Sequence, residues 1–177
     1  MPIATPLRPS SAHRAVQQPP RWAERTAHLI PLLTLPSGLW RIPLALGLSM
    51  GMLQDGKPMH VTGGESVYVV CLSVAAEAVA LLSLGLVRRW GEVVPAWVPV
   101  LGGRPIPRLA VVVPAMTGAL ALTIIWGYAT ANLFIFVKPG FSNGWWEALL
   151  AACYLPLLLW GPLLFALALN YHHRHRR

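Results

Sequence analysis

The apolar residues of the chain fall into four long blocks, at about residues 29–53, 67–87, 109–130 and 147–170. Inside each block they run almost continuously, without the helical or alternating period of a half-buried surface. A bilayer core roughly 30 Å thick needs about 20 apolar residues in a helix that crosses it. The pattern therefore predicts an all-α, polytopic membrane protein, built as a four-helix transmembrane bundle.

Polar segments flank these blocks and set the predicted domain limits. Residues 1–28 are rich in Pro, Arg, Gln and Ser and lack periodicity, which predicts a disordered basic cytoplasmic tail. The transmembrane domain is then 29–170, and 171–177 forms a second basic cytoplasmic tail. Residues 54–66 are predicted to form a short polar loop outside the membrane.

Composition agrees with a membrane protein, since 55% of the 177 residues are hydrophobic, only 11% are charged, and the mean hydropathy is +0.55. The net charge of +8 lies in the connecting segments. Eleven arginines lie in three segments, namely before the first block, between the second and third blocks, and around the end of the fourth: Arg8, Arg14, Arg21, Arg25, Arg88, Arg89, Arg104, Arg108, Arg174, Arg176 and Arg177. The other two connections hold one lysine each, Lys57 and Lys138. The positive-inside rule then predicts a multi-pass protein of the cell membrane with both termini cytoplasmic. This placement of the charges disfavours a nucleic-acid partner.

The predicted partner of these cations is the bilayer itself, through anionic lipids at the cytoplasmic face. The connector after the second block is too apolar for a free loop, and its tryptophans suit a membrane interface. The residues predicted to contact lipid headgroups are Arg88, Arg89, Trp90, Trp97, Arg104, Arg108, Arg174 and Arg176.

Prolines interrupt the first and last blocks. Pro31, Pro36 and Pro43 lie in the first, and each removes one backbone N–H from the helical ladder. We expect a kinked or locally opened helix around the sequence PSGLWRIP, facing protein or a wet cavity. Pro156 and Pro162 predict that helix four is bent as well.

Two full charges are expected near the middle of the membrane, Arg41 in the first span and Glu77 in the second. Each costs roughly 2.5–3.5 kcal/mol when isolated there. Because they have opposite sign and lie on consecutive antiparallel helices, the sequence predicts that they form a buried ion pair. Arg41 is about 12 residues, roughly 18 Å, from either end of its block, which is far for snorkelling to a headgroup.

Ser37, Trp40 and Ser73 complete the predicted intramembrane polar site. The pair could simply hold the two helices in register, or it could line a polar cavity for a ligand, a proton or a lipid headgroup. Both interpretations remain open on the sequence alone.

No metal or cofactor site is predicted. His60, Asp55 and Glu65 share one loop but lack the spacing of metal ligands. Cys71 and Cys153 are the two cysteines, and both fall inside predicted spans without a CxxC motif. They are interpreted as small apolar residues.

Two stretches carry a resemblance to known proteins, LTLPSGLWRIPLALG in the first span and RRWGEVVPAWVPVLGGRPIPRLAVVVPA after the second. The chain resembles a group of small, uncharacterised four-span membrane proteins of actinobacteria over roughly residues 28–175. This resemblance implies the same four-helix layout and transfers no catalytic residues.

Two functional hypotheses follow. In the first, the protein is a non-enzymatic bundle that is transporter-like, binds lipid or serves as an accessory component. Its expected protein partner is then another membrane subunit or, in a homo-oligomer, a second copy of the chain. The alternative is a membrane-embedded enzyme acting on a lipid or prenyl substrate, with Glu77 as acid or base. General acid–base chemistry usually needs further placed groups, and the sequence has no recognisable motif for them. The first hypothesis is favoured.

Overall fold

The computed structural model describes residues 19–88, 106–136 and 140–174. Within these ranges the chain is mostly helical, as the sequence predicts. The helices are α1 Arg21–Ala45, α2 Gly64–Leu82, α3 Arg108–Ala131, α4 Gly144–Tyr154 and α5 Trp160–Arg174. The strands are β1 Met52–Gln54, β2 Lys57–Pro58 and β3 Gly140–Phe141. A 3₁₀ turn, Ser83–Leu86, continues α2; a π turn, Asn132–Phe136, continues α3; and a 3₁₀ turn, Leu155–Leu159, joins α4 to α5.

Three helical stretches are long and apolar enough to cross a membrane, namely Gly64–Leu86, Arg108–Phe136 and Gly144–Arg174. They correspond to the predicted second, third and fourth spans. Many of their large apolar side chains face outward, as a helix surrounded by lipid requires. Helix α1 has 25 residues and is long enough to cross a membrane, but it is less apolar than these three stretches.

The limits of α1 differ from the sequence prediction at both ends. The helix begins at Arg21, inside the segment predicted to be a disordered tail, because Ala23 and Ala27 are fully buried and extend its packed face. It ends at Ala45, before the predicted limit of 53. Gly47 and Gly51 adopt positive φ angles, which suit glycine and end the helix.

The prolines do not open α1, which is continuous through all three. The predicted opening around PSGLWRIP is therefore absent from the structure. Pro31 lacks the N–H that would bond the carbonyl of Ala27. The Ser83 hydroxyl, at the far end of the second helical segment, lies 3.4 Å from that carbonyl oxygen, while its shorter contact, 2.6 Å, is with the Ala80 carbonyl of its own segment. Near Pro156, the winding changes to 3₁₀ between α4 and α5.

Helices α1 and α2 pack antiparallel. Near the start of α1, Ala27 and His28 contact Ser83 and Arg88, which follow the end of α2. Further along α1, Thr34 contacts Glu77 within α2. Arg88 donates to His28 Nε2 over 3.3 Å, while His28 Nδ1 lies 2.7 Å from the Glu24 carbonyl. Because arginine is only a donor, the imidazole donates through Nδ1.

Helices α3 and α5 also pack antiparallel, and they approach closely at Gly161. A Cβ atom at Gly161 would lie 2.7 Å from the Ala119 carbonyl oxygen and would clash with the Thr123 hydroxyl. Nearer the other end of α3, the Trp126 and Tyr154 rings meet edge to face, with centroids 6.3 Å apart. Arg174 at the end of α5 donates to the Leu86 carbonyl over 2.9 Å, which ties this helix pair to the end of α2.

A small antiparallel sheet covers the opposite end of the bundle, with strand order β2-β1-β3. Asp55 and Gly56, between β1 and β2, both have positive φ angles, as the two central residues of a type I′ hairpin turn do. The sheet replaces the predicted solvated loop over 54–58. The Asp-Gly dipeptide is the sequence signal that the prediction missed.

Two apolar clusters fill the interior. The larger lies towards the end of the bundle that holds Arg88, Arg108 and Arg174, the arginine-rich end. It includes Ile30, Leu157, Trp160, Leu167 and Tyr171. The smaller lies beneath the sheet. Its buried members are Trp40, Leu44 and Leu150. The polar contacts of Thr34, Arg41 and Glu77 are built between these two apolar regions.

Candidate functional site, a groove between the first two helices

A groove of about 260 Å³ runs between α1 and α2. Its lining comes from those two helices alone: Leu35, Gly38, Leu39, Arg41, Ile42, Val70, Ser73, Val74 and Glu77. The space exists in part because Gly38 carries no side chain, and a Cβ atom there would meet nothing within 4 Å. The wall is apolar except for one hydroxyl, one guanidinium and one carboxyl group.

Arg41 is buried inside the bundle, with 9% of its surface exposed. Its guanidinium carbon lies 5.3 Å from the Tyr154 ring centroid and 5.9 Å from that of Trp126. Aromatic faces at this range attract a cation by roughly 0.5–2 kcal/mol. The rings therefore hold the guanidinium group at the inner wall of the groove.

The depth of Arg41 differs from the sequence prediction. Because α1 ends at Ala45, Arg41 lies four residues, about 6 Å, from the end of the helix. The predicted separation of about 18 Å came from placing the end of the span at residue 53. Arg41 thus lies in the half of the bundle that the sheet covers.

Glu77 is half-buried on α2, and its carboxyl group bonds α1. Glu77 Oε2 lies 2.7 Å from Thr34 Oγ1, which in turn lies 2.9 Å from the Pro31 carbonyl oxygen. The Ser37 hydroxyl donates to the Thr34 carbonyl over 2.8 Å. Hydroxyl groups of α1 therefore surround the point where the carboxyl group of α2 docks.

The predicted ion pair between Arg41 and Glu77 is not formed. Among the described residues, no nitrogen of Arg41 lies within 4.0 Å of the Glu77 carboxylate. Thr34 precedes Arg41 by seven residues, about 10 Å of helix, so the carboxyl group that bonds Thr34 lies two turns below Arg41. The two residues line one groove, but each has its own partners.

The remaining predicted site residues divide between the groove and the interior. Ser73 lines the groove, and its hydroxyl donates to the Val69 carbonyl of its own helix. Ser37 is buried beside Thr34. Trp40 points to the other side of α1, where its ring packs edge-on against Trp146 at 6.1 Å.

Sequence reasoning missed Thr34, Trp126 and Tyr154. Thr34 carries a readable signal, since it lies seven residues before Arg41 and thus on the same face of the helix. Trp126 and Tyr154 come from α3 and α4, and no local pattern brings them to Arg41.

The described residues predicted to contact lipid headgroups lie at one end of the bundle. Arg88 is exposed there, and Arg108 begins α3. Arg174 is half-buried. Its guanidinium carbon lies 5.9 Å from the Tyr171 ring centroid, and the group donates a hydrogen bond to the Leu86 carbonyl. Arg174 therefore contacts protein groups at the position where the sequence predicted contact with lipid headgroups. The predictions for Arg89, Trp90, Trp97, Arg104 and Arg176 fall outside the described residues.

The groups considered for metal or redox chemistry lie apart. In the described part of the chain, no three His, Cys, Asp or Glu side chains come together as a metal site would require. His60 instead contacts the Gly47 carbonyl, with Nδ1 2.8 Å from the oxygen. Cys71 and Cys153 are both free thiols.

The chain was compared with family models, with curated proteins and with solved structures. None of the three comparisons finds a match.

Proposed function

We propose that the protein is a non-enzymatic, multi-pass protein of the cell membrane in which all four predicted segments cross the bilayer. The three apolar helices support this layout, and α1 joins them as the fourth span because it packs antiparallel along α2. The outward face of α1 is apolar over its whole middle: Leu29, Leu32, Leu35, Leu39 and Ile42 are all exposed. Such a face suits lipid contact.

The proposed orientation places both chain ends in the cytoplasm. The start of α1, the end of α2, the start of α3 and the end of α5 meet at one end of the bundle, and arginines occupy all four positions. Excess arginine marks the cytoplasmic side. The small sheet and Lys57 then lie outside.

Within this layout we propose that the α1–α2 groove binds a lipid chain. The observation that carries this proposal is the wall of the groove, where Leu35, Leu39, Ile42, Val70 and Val74 form an apolar trough beside Arg41 and Glu77. Leu39, Ile42 and Val74 are each at least half exposed, so the trough opens on the surface that lipid surrounds. An acyl chain in this trough would bury apolar protein surface that otherwise only the surrounding bilayer would cover.

A second groove lies between α3 and α5 and is larger, about 480 Å³. Its lining, Met116, Thr117, Ala119, Leu120, Thr123, Pro162 and Phe165, contains no charged residue. Size therefore does not single out the α1–α2 groove, but its charged groups do. The alternative of a membrane enzyme with Glu77 as acid or base stays a prediction.

Filling the groove tests this proposal. Gly38→Leu places a side chain in the open space without a clash, since nothing lies within 4 Å of a Cβ atom there. The helix should tolerate the change, because leucine favours helix over glycine. We expect the variant to fold and to release most of the lipid that purifies with the wild-type chain, measured by native mass spectrometry from detergent.

Gly118→Leu is the matched control. Gly118 is also helical, also has nothing within 4 Å of a Cβ atom, and does not line the groove. It should keep the wild-type amount of bound lipid. Equal lipid retention by the two variants would contradict a lipid site between α1 and α2.

A further inference from the structure

We propose that the occupant of the groove is an anionic phospholipid of the outer leaflet, with its headgroup oxygens on Arg41 and an acyl chain along the apolar wall. This inference rests on the proposed function and specifies the class of lipid. Its basis is the state of Arg41, which the sequence predicted to be neutralised by Glu77 and which the structure places among donors and aromatic rings.

Arg41 has no counter-ion in the part of the chain that the structure describes. It is nine-tenths buried, and among the described residues no carboxylate lies within 4.0 Å of its guanidinium group. The Tyr154 hydroxyl accepts a hydrogen bond from the guanidinium group, and the Trp126 and Tyr154 rings attract its charge. These contacts engage only part of the five N–H donors of arginine, and the others are left to be satisfied elsewhere. A guanidinium group matches phosphate oxygens in a bidentate geometry. Arg41 therefore favours an anionic ligand.

The neighbourhood of Arg41 also has surplus donors. Trp126 lies beside Arg41, and its indole Nε1 is buried with no hydrogen-bond partner in the described structure. The buried Nε1 of Trp40, on the opposite side of α1 but in the same half of the bundle, also has no partner there. An indole nitrogen can only donate. This half of the bundle is thus short of acceptors, and phosphate supplies acceptors without donors.

Glu77 shares the groove, but its position leaves room for an anion at Arg41. Its carboxyl group is bonded to Thr34, two helical turns below Arg41. Thr34 Oγ1 lies near both Glu77 Oε2 and the Pro31 carbonyl oxygen, and its single hydrogen can serve only one of them fully. A headgroup at Arg41 would meet neither Thr34 nor Glu77, and the acyl chain would pass them.

The depth of Arg41 indicates which leaflet supplies the lipid. Arg41 is about 6 Å from the end of α1 that bears the sheet, and the arginine-rich end lies opposite. In the proposed orientation this is the outer leaflet. An outer phospholipid can reach Arg41 with its phosphate while its chain descends past Leu39 and Val74 towards Leu35.

The test compares two lipids with identical acyl chains, phosphatidylglycerol and diacylglycerol, which lacks the phosphate, bound to the full chain after delipidation and measured by native mass spectrometry. The wild type should prefer phosphatidylglycerol by about tenfold, the size of one charge-assisted contact. Arg41→Gln should bring the ratio close to one while diacylglycerol binding persists. Arg41→Lys keeps the charge without the planar fork and should give an intermediate ratio.

Arg88→Gln is the control, since it removes an exposed arginine from the opposite end and should leave the tenfold preference intact. Glu77→Gln should not lower the preference. An unchanged ratio in both Arg41 variants, or an equal loss in Arg88→Gln, would overturn the assignment of the headgroup to Arg41. If Gly38→Leu retained both lipids fully, the groove itself would fail as the site, which is a separate result.

Discussion

The Thr34 hydroxyl of α1 and the Glu77 carboxyl group of α2 lie 2.7 Å apart, and this contact fixes the register of the two helices where the sequence predicted an ion pair. A hydrogen bond from a hydroxyl group gives the half-buried carboxyl group a partner without a second charge. Glu77 is therefore independent of Arg41, and Arg41 is left for other chemistry.

The contact between Thr34 and Glu77 should appear as coupling in a double-mutant cycle. Thr34→Val and Glu77→Leu should each destabilise the protein, and the double variant should lose less than the sum by about 0.5–1.5 kcal/mol. The measurement is reversible unfolding in detergent micelles. Strict additivity of the two changes would show that the contact contributes nothing.

Arg41 and Glu77 should instead behave independently. Arg41→Leu removes the contacts with Trp126 and Tyr154, whereas Glu77→Leu removes the contact with Thr34, so no partner is shared. The two losses of unfolding free energy should add within about 0.3–0.5 kcal/mol. Recovery of stability in the double variant would instead support the ion pair that the sequence predicted.

The close approach of α5 to α3 should not tolerate a side chain at Gly161. Gly161→Ala forces a methyl group towards the Ala119 carbonyl oxygen and the Thr123 hydroxyl, and should cost about 1–3 kcal/mol of unfolding free energy. Gly118→Ala, in open surroundings, should be neutral or stabilising by up to about 1 kcal/mol. A similar thermal shift for both alanine variants would mean that this crossing is not tightly packed.

The orientation is testable with single cysteines in a chain whose Cys71 and Cys153 have been replaced by alanine. Glu24, Thr62 and Ser142 are exposed, the first at the arginine-rich end and the other two at the end with the sheet. In intact cells a membrane-impermeant maleimide should label cysteine at 62 and 142 but not at 24. Labelling at 24 with protection of the other two would reverse the orientation.

Apolar block length was enough to predict the helical class and three of the apolar helices, because lipid requires continuous apolar surface. The limits of α1 could not be predicted in this way, since Ala23 and Ala27 are buried by neighbouring helices rather than by lipid. The strands depend on contacts between residues 52–54 and 140–141, which are distant in the chain. Only their Asp-Gly turn carries a local signal.

The candidate site was predicted in part for a similar reason. Arg41, Glu77 and Ser73 could be selected as polar residues inside apolar blocks, and all three line the groove. The contacts of Arg41 and Glu77 could not be predicted, because the signs of two charges and the order of their helices do not determine the level of each side chain along the bundle. Two turns of helix separate the level of Thr34 from that of Arg41, and this offset decides which groups meet.

The contact of Ser83 with the Ala27 carbonyl bears on how the chain is made. Helix α1 leaves the ribosome before α2, yet it carries three prolines and a buried arginine, and one of its open backbone acceptors lies against the hydroxyl group of a residue more than fifty positions later. We expect α1 to wait at the membrane surface and to insert together with α2 as a hairpin. A released chain that ends at residue 63 should then leave Thr62 unreachable from outside, and a released chain that ends at Leu86 should expose it there.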